Sequence, residues 1–249
     1  MDRICGALAA QHDELDALIS GLTEDEWNRP SRCPGWTVCD VVLHLAQTDE
    51  LTVSSGEGRF AEAMTSLAGR SASTIDEAAA AAVARERGAP GSAVYGRWRA
   101  AAEAVRAFFG GCDPKDRFSW VTGQLAARTF ATTRLAETWI HTGDIAVPLD
   151  IDLPATDRLW HVARLAWRTL PYAFAQAGYA ARGPVGVRLT TGDGSAWEFG
   201  LDSDPLTTVR GSALEFCLVA GRRLDPHAST LAAEGPDGQA VLDLVRTYA

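Results

Sequence analysis

Glu137 and His141 have the clearest potential for metal chemistry in this sequence. They lie four positions apart in the segment RLAETWIH, residues 134–141, and this spacing places both side chains on one face of a helix, one turn apart. His44, in the apolar segment VVLHLA of residues 41–46, is a third candidate ligand from another helix. Two histidines and one carboxylate leave a coordination position open, which is typical of catalytic zinc and of non-haem iron(II).

Each of these residues also has an ordinary structural interpretation. A histidine on an apolar helix face is usually a hydrogen-bonded core residue, and a Glu and a His four positions apart often share an exposed helix face. The metal site is favoured because His44 and His141 are two of only five histidines, and both lie in apolar surroundings where an unpaired polar group is costly. The other three lack such a context and are interpreted as structural or exposed: His12, His161 and His227.

The elements that must position these ligands are indicated by apolar periodicity and by helix caps. Residues 23–26 spell the capping-box pattern T-x-x-E, and a Pro-Gly turn precedes a helix that begins at Trp36 or Thr37 and contains His44. Pro148 ends the helix that contains the other two ligands. The sequence predicts an antiparallel bundle with an alanine-rich helix in its long connection. The four principal helices span residues 4–22, 37–51, 93–109 and 125–146, and the connecting helix spans 75–87.

The pattern changes near residue 182, where we place the boundary between a helical domain, 1–182, and a small α/β domain, 183–249. A connecting helix completes the first domain. In the second domain, alternating apolar residues on both sides of a Gly-Asp-Gly turn predict a β-hairpin. The predicted fold class is therefore α+β. The connecting helix, the hairpin and the later strands and helices span residues 156–176, 185–200, 207–210, 211–221, 230–234 and 238–248.

Composition and charge narrow the class of function. The net charge of −9 and the lack of any Lys/Arg run argue against a nucleic-acid partner. No apolar stretch approaches the length of a membrane span, and charged residues among the first 21 argue against a signal peptide. The five cysteines form no C-x-x-C pair, so the expected compartment is the cytoplasm. Cys33 and Cys39, near the start of the His44 helix, are interpreted as small buried hydrophobes.

Two segments resemble the signature sequences of a known family. CPGWTVCDVVLH at residues 33–44 and RLAETWIHTGDI at 134–145 are similar to those of the mycothiol-dependent maleylpyruvate isomerase family, a branch of the DinB-like metal-binding four-helix bundles. The resemblance continues through residues 160–171 and through VRGSALEFCLVAGRR at 209–223, where such proteins have a small sterol-carrier-like C-terminal domain. It covers nearly the whole chain, and the C-terminal region is most similar to an actinobacterial subgroup of metal-binding members without an assigned reaction.

The resemblance implies a zinc ion, or another divalent metal, bound by the three candidate ligands, and it makes mycothiol a candidate cofactor. Asp144 would orient the imidazole three residues before it or act as a base, with a capping or surface role as an equal alternative. An arginine of the second domain would hold an anionic substrate, and Arg222 or Arg210 is the candidate. Trp36 and Trp139 would wall the pocket, with core packing as the alternative.

Three functions are compatible with these expectations. The first is a zinc-dependent isomerase or thiol S-transferase of the mycothiol-dependent type, acting on a small electrophilic or unsaturated carbonyl substrate. The second is a zinc-dependent lyase or cyclase of secondary metabolism that uses no thiol, and the third is a metal-dependent binding protein without catalysis. All three require the same metal site, and the expected partners are small molecules, namely a substrate and a low-molecular-weight thiol.

Overall fold

The computed structural model describes residues 1–69 and 74–247, and the chain divides into two compact units, Met1–Leu153 and Pro154–Ala249. None of the described helices combines the length and the apolar character that a membrane crossing requires. The described elements of the first unit are α1 (Asp2–Ile19), α2 (Glu24–Trp27), α3 (Val38–Gly56), α4 (Phe60–Ala68), α5 (Ile75–Glu86), α6 (Gly91–Gly110), β1 (Arg117–Trp120), β2 (Gly123–Ala126) and α7 (Ala127–Ala146). Those of the second unit are α8 (Leu159–Gln176), β3 (Val185–Thr190), β4 (Ala196–Phe199), β5 (Thr207–Ser212), α9 (Ala213–Ala220), β6 (Ala232–Glu234) and α10 (Gly238–Leu244).

Four long helices of the first unit form the predicted bundle. α3 packs against α6 and α7, and α1 packs against the same two helices. The shared core is apolar because Leu, Val and Ala recur at helical spacing, and it includes the buried side chains of Leu15, Val41, Leu45 and Trp98. Each fully buried aliphatic side chain contributes about 1.5–3 kcal/mol of hydrophobic stabilisation. This packing brings α3 and α7, which contain the predicted ligands, side by side.

Reciprocal caps fix where α2 and α3 begin. The backbone N–H of Thr23 donates to the Glu26 carboxylate at 2.8 Å, and the Glu26 N–H donates back to the Thr23 hydroxyl, so the predicted capping box is confirmed. Thr37 forms the same pair with Asp40, at 2.9 Å from its N–H to the carboxylate and 3.2 Å in return. α3 therefore begins directly after Thr37, and His44 lies about two turns inside the helix.

A β-hairpin between α6 and α7 is an element that the sequence analysis missed. β1 pairs antiparallel with β2, which begins at Gly123 directly after the two-residue turn, and the φ of 107° at this glycine lies in the left-handed region that favours glycine. Phe118 and Trp120 project from β1 onto Phe108 and Phe130 of the flanking helices, with ring centroids 4.9 and 4.7 Å apart. The alternating aromatic residues before the glycine were a signal, but strands of four residues give too short a pattern to stand out.

The second unit contains a four-stranded sheet with the strand order β4-β3-β5-β6. β3 is parallel to β5, and the other two pairs of neighbours are antiparallel. Val187 and Val209 lie opposite each other on the two central strands. Both side chains are buried, and so is that of Leu189 on β3. The predicted hairpin, the two later strands and both helices are present. The chain therefore has the predicted α+β fold, with a helical bundle followed by a small α/β unit.

The observed division of the chain after Leu153 corrects the boundary that we placed at residue 182. α8, which we assigned to the first domain, belongs to the second unit. Its apolar face packs against α9, α10 and β4, and the Trp167 indole N–H donates to the carbonyl of Val185 at 2.8 Å. The helical spacing of its apolar residues predicts that α8 has an apolar face, but it does not predict which elements pack against that face. The visible change from helices to strands occurs only after this helix.

The closing helix is shorter than predicted. α10 ends at Leu244, and the backbone of Val245 turns to an extended conformation with ψ of 132°. The N–H of Thr247 then donates to the carbonyl of Ala220 at 3.0 Å, which ties the segment to the end of α9. The predicted end of this helix, residue 248, lies outside the described residues.

His12, one of the histidines interpreted as structural or exposed, is fully buried on α1. In the part of the chain that the structure describes, neither ring nitrogen has a hydrogen-bond partner, and the nearest carboxylate oxygen, of Asp49, is 4.0 Å from Nε2. Burial is the main cause that lowers the pKa of His12 to about 3, and the charges of Arg106 and Arg134 act in the same direction. The ring is therefore neutral in the folded protein at neutral pH.

We expect His12 to make the protein less stable in mild acid. Below pH 6.5 the unfolded chain binds a proton at this residue, and the folded chain does not bind it until about pH 3. The free energy of unfolding therefore falls by about 1.4 kcal/mol per pH unit as the pH drops through this range, or about 1 kcal/mol between pH 7 and 5.5. Urea unfolding of the wild type and of His12→Phe at both pH values measures this difference. Equal losses in the two proteins would exclude His12 as the cause.

Candidate metal centre

The three predicted ligands converge between α3 and α7. His44 projects from α3, while Glu137 and His141 project from successive turns of α7. The Nε2 atom of His44 lies 2.9 Å from Oε1 of Glu137, and Nε2 of His141 lies 4.0 Å from the same oxygen. The centroids of the two imidazole rings are 5.1 Å apart. One ligand atom from each residue lies within 4.8 Å of both others, so a single ion can contact all three after small side-chain adjustments.

The bundle encloses most of this site. His44 is 6% exposed, His141 is 8% exposed, and the side chain of Glu137 is 16% exposed. Trp36 packs against the His44 ring with a centroid distance of 5.2 Å, which agrees with its predicted position as a wall. Trp139 is half-buried, and its role as a wall stays a prediction. Of the three, Glu137 keeps the largest exposed fraction.

The charges of the cluster suit a bound cation. Burial acts to raise the pKa of Glu137, but the hydrogen bond with His44 and the charge of Arg134 outweigh it and hold this pKa at about 2. Burial is also the largest influence on His44, and it lowers the pKa of this imidazole below its ordinary value despite the contact with Glu137. At neutral pH the carboxylate is ionised and the His44 ring is neutral, and these are the forms that bind a metal ion.

Asp144 lies directly behind His141. Its Oδ2 atom is 3.0 Å from Nδ1 of the imidazole, and the residue is buried, so a surface role is wrong. A carboxylate that accepts the Nδ1 proton fixes the orientation of the ring and leaves Nε2 to face Glu137. The structure thus places Asp144 where an orienting residue would lie.

Cys33 contacts the same carboxylate, and the sequence analysis missed this contact. Its thiol donates to Oδ2 of Asp144 at 3.2 Å, and its Sγ atom lies 3.8 Å from Nδ1 of His141. Cys33, His141 and Asp144 form a second group of potential ligand atoms within 4.8 Å of one another, on the opposite edge of the shared imidazole. Nothing in the sequence spacing indicates that residue 33 lies opposite the end of the second ligand helix.

Sequence comparison identifies the family of the bundle. The sequence profile described as the mycothiol maleylpyruvate isomerase N-terminal domain matches residues 8–146, more than half of the chain. The chain belongs to this family. The match includes both helices of the site, and it confirms the resemblance based on residues 33–44 and 134–145.

Relatives and solved structures extend this family relationship over nearly the whole chain. Uncharacterized proteins from two strains of Mycobacterium tuberculosis are each 33% identical over 245 residues, which cover 97% of this chain and 93% of the relative. Crystal structures of the mycothiol-dependent maleylpyruvate isomerase and of a histidine-to-alanine mutant of it each match with a TM-score of 0.62. They cover 95% of both chains at 15% and 14% identity, so this similarity establishes the fold.

In this member of the mycothiol maleylpyruvate isomerase family, the predicted substrate arginine lies in the second unit. Arg222 follows the glycine that ends α9, has a φ of 59° in the left-handed region, and is exposed. Arg210, the alternative, is exposed on β5. The contact of either arginine with a substrate stays a prediction.

We expect Asp144→Asn to weaken metal binding by this family member. The amide keeps the shape of the carboxylate but loses the charge that holds the Nδ1 proton of His141. Loss of such an outer contact reduces metal affinity by about 10- to 100-fold. Zinc titration against a competing chromophoric chelator measures the change, and Asp13→Asn, at an exposed position of α1, is the control. A zinc Kd equal to that of the wild type would contradict the orienting role of Asp144.

Proposed function

We propose that this protein is a zinc-dependent enzyme in which His44, Glu137 and His141 bind the metal ion. One observation carries this proposal: a carboxylate and two imidazoles from two helices lie within reach of a single ion in a partly exposed site. The donor set fits zinc, and three protein ligands leave a fourth position for water or substrate, as in catalytic sites. Because non-haem iron(II) uses a similar set, the identity of the metal must be measured.

The side chains around the three ligands prepare the site for catalysis. A divalent ion bound there would supply Lewis-acid chemistry, by polarising a carbonyl or by lowering the pKa of a bound water or thiol. Glu137 directs its charge at the two histidines. Asp144 lies 3.0 Å from Nδ1 of His141, and accepting a proton there would direct Nε2 towards the carboxylate of Glu137. Trp36 covers one side of the His44 ring and keeps water from that side.

We further propose that a low-molecular-weight thiol such as mycothiol takes part in the reaction. The family description and the structure that shares the fold both name mycothiol. The proposed reaction is the addition of the thiolate to the far carbon of a carbon–carbon double bond conjugated with a carbonyl, and the π electrons move onto the carbonyl oxygen to form an enolate. Rotation about the former double bond, followed by collapse of the enolate and expulsion of the thiolate, would give an isomer, whereas protonation of the enolate carbon with the thiol retained would give a transferase product. No cysteine of the chain needs to participate.

Arg222 is the residue proposed to bind an anionic group of the substrate. A guanidinium binds carboxylates through two parallel hydrogen bonds, which fixes the orientation of the bound molecule. The exposure of Arg222 leaves its side chain accessible to a small molecule. Asp144 is proposed to act through the His141 ring that it contacts.

Elemental analysis of protein purified without a metal-affinity tag or chelator tests the metal site. We expect about one zinc ion per chain, and loss of this ion in both His44→Ala and His141→Ala. His227→Ala removes an exposed histidine of the second unit and should keep the ion. If the wild type stays empty after incubation with zinc, iron(II) and nickel, the three residues are core packing and the enzyme proposal fails.

Replacement of zinc by cobalt(II) tests the proposed thiol. If the thiol reaches the open coordination position, mycothiol should change the visible absorption of the cobalt protein, because these bands depend on the ligands of the ion. A metal-loaded protein with an unchanged spectrum would favour the zinc lyase or cyclase that uses no thiol. A coordination shell without any exchangeable position would favour the binding protein instead.

A further inference from the structure

Arg134 is a fully buried cation one turn before Glu137 on α7. A guanidinium keeps its charge in any protein environment, so burial of this side chain is unfavourable unless specific contacts offset the loss of water. Such contacts exist, and they reach both of the helices that hold the proposed ligands. Their arrangement suggests what the buried charge does.

Two contacts anchor the guanidinium to α3. Its Nε and Nη2 atoms lie 3.1 and 2.9 Å from Oδ1 of Asp49, a carboxylate that is also fully buried. Nη2 donates in addition to the hydroxyl of Thr48 at 2.9 Å. Thr48 in turn donates to the main-chain carbonyl of His44 at 2.9 Å. Arg134 therefore holds α3 on the turn that follows one ligand.

The third contact reaches the ligand on its own helix. Nη1 of Arg134 lies 3.5 Å from Oε2 of Glu137, which is an ion-pair contact, and Nη1 forms no hydrogen bond within the described residues. The other oxygen, Oε1, faces Nε2 of His44 at 2.9 Å and Nε2 of His141 at 4.0 Å. The two oxygens of this carboxylate thus have different partners. An ion placed between the histidines would face Oε1, while Oε2 faces the charge of the guanidinium.

We infer that Arg134, anchored by Asp49, is a positioning residue that makes Glu137 bind the metal through one oxygen only. The inference rests on the proposed metal site and concerns what sets its geometry. A carboxylate that binds through one oxygen occupies one coordination position instead of two. It therefore leaves one more position for substrate or thiol. Stability alone is a weak explanation for the buried pair, because well-packed apolar residues often stabilise a core as much or more.

Arg134→Lys tests this role because lysine keeps the positive charge but has no planar fork to contact Asp49, Thr48 and Glu137 together. We expect the zinc Kd to rise by about 10- to 100-fold, as for the loss of other outer-shell contacts. In the cobalt(II) protein we expect weaker and shifted visible bands, because a Glu137 that binds through both oxygens raises the coordination number.

Arg97→Lys is the matched control. Arg97 on α6 forms a fork with both carboxylate oxygens of Glu50 on α3, at 2.7 Å each, and the pair belongs to neither group of potential ligands. This variant also loses an arginine fork to α3, at a side chain that is 34% exposed, so it controls for the loss of an arginine–carboxylate contact to that helix. Its zinc Kd and cobalt spectrum should equal those of the wild type.

Asp49→Asn is a second test that leaves Arg134 in place, and it decides the question if Arg134→Lys does not fold. It removes the anion that anchors the guanidinium, so we expect the same spectral change with a smaller loss of affinity. A wild-type Kd and cobalt spectrum in the folded variants would overturn the inference, even if the melting temperature falls, because that temperature reports packing. A wild-type protein that binds no metal would overturn the proposed function itself, which is a separate result.

Discussion

The pairing of buried polar groups between α3 and α7 is the interaction on which the candidate site depends. Elsewhere the bundle core is mostly apolar, and apolar packing tolerates small rotations of one helix against another. Between these two helices, His44 meets Glu137, and Asp49 meets Arg134. A shift by one residue rotates a helix by about 100° and would separate these partners, leaving buried charges unpaired at high cost. The polar contacts therefore define one alignment of two helices that apolar residues only bring together.

The segment before α3 completes this arrangement from the other side. The Thr37 cap fixes the first turn of α3, and the loop before it folds back so that the N–H of Arg32 donates to the carbonyl of Asp144 at 3.1 Å. This link brings the Cys33 thiol onto the Asp144 carboxylate, which already contacts His141. The loop, the end of α7 and one ligand thus form a continuous set of contacts, which explains why an exposed-looking Pro-Gly turn lies beside a buried site.

The sequence predicts those parts of the structure that depend on local spacing. The approximate positions of the four long helices, the Thr23 cap and the shared face of Glu137 and His141 follow from residues within a turn of each other, and these agree with the structure. Contacts such as Cys33 with Asp144 could not be predicted, because they depend on how elements distant in sequence are rotated about their axes. The same limit applies to α8, because the elements that it packs against cannot be predicted from the spacing of its own apolar residues.

The chain distance between the ligands has a consequence for how the centre forms. His44 and Glu137 are 93 positions apart. In small zinc modules the ligands come from neighbouring turns, and the ion can organise a short peptide. Here the intervening chain contains α4, α5, α6 and the hairpin, so the entropy of closing a long loop must be offset by helix packing before both ligands meet. The three candidate ligands therefore come together only when the tertiary structure forms, and a bound ion would indicate that the whole bundle has folded.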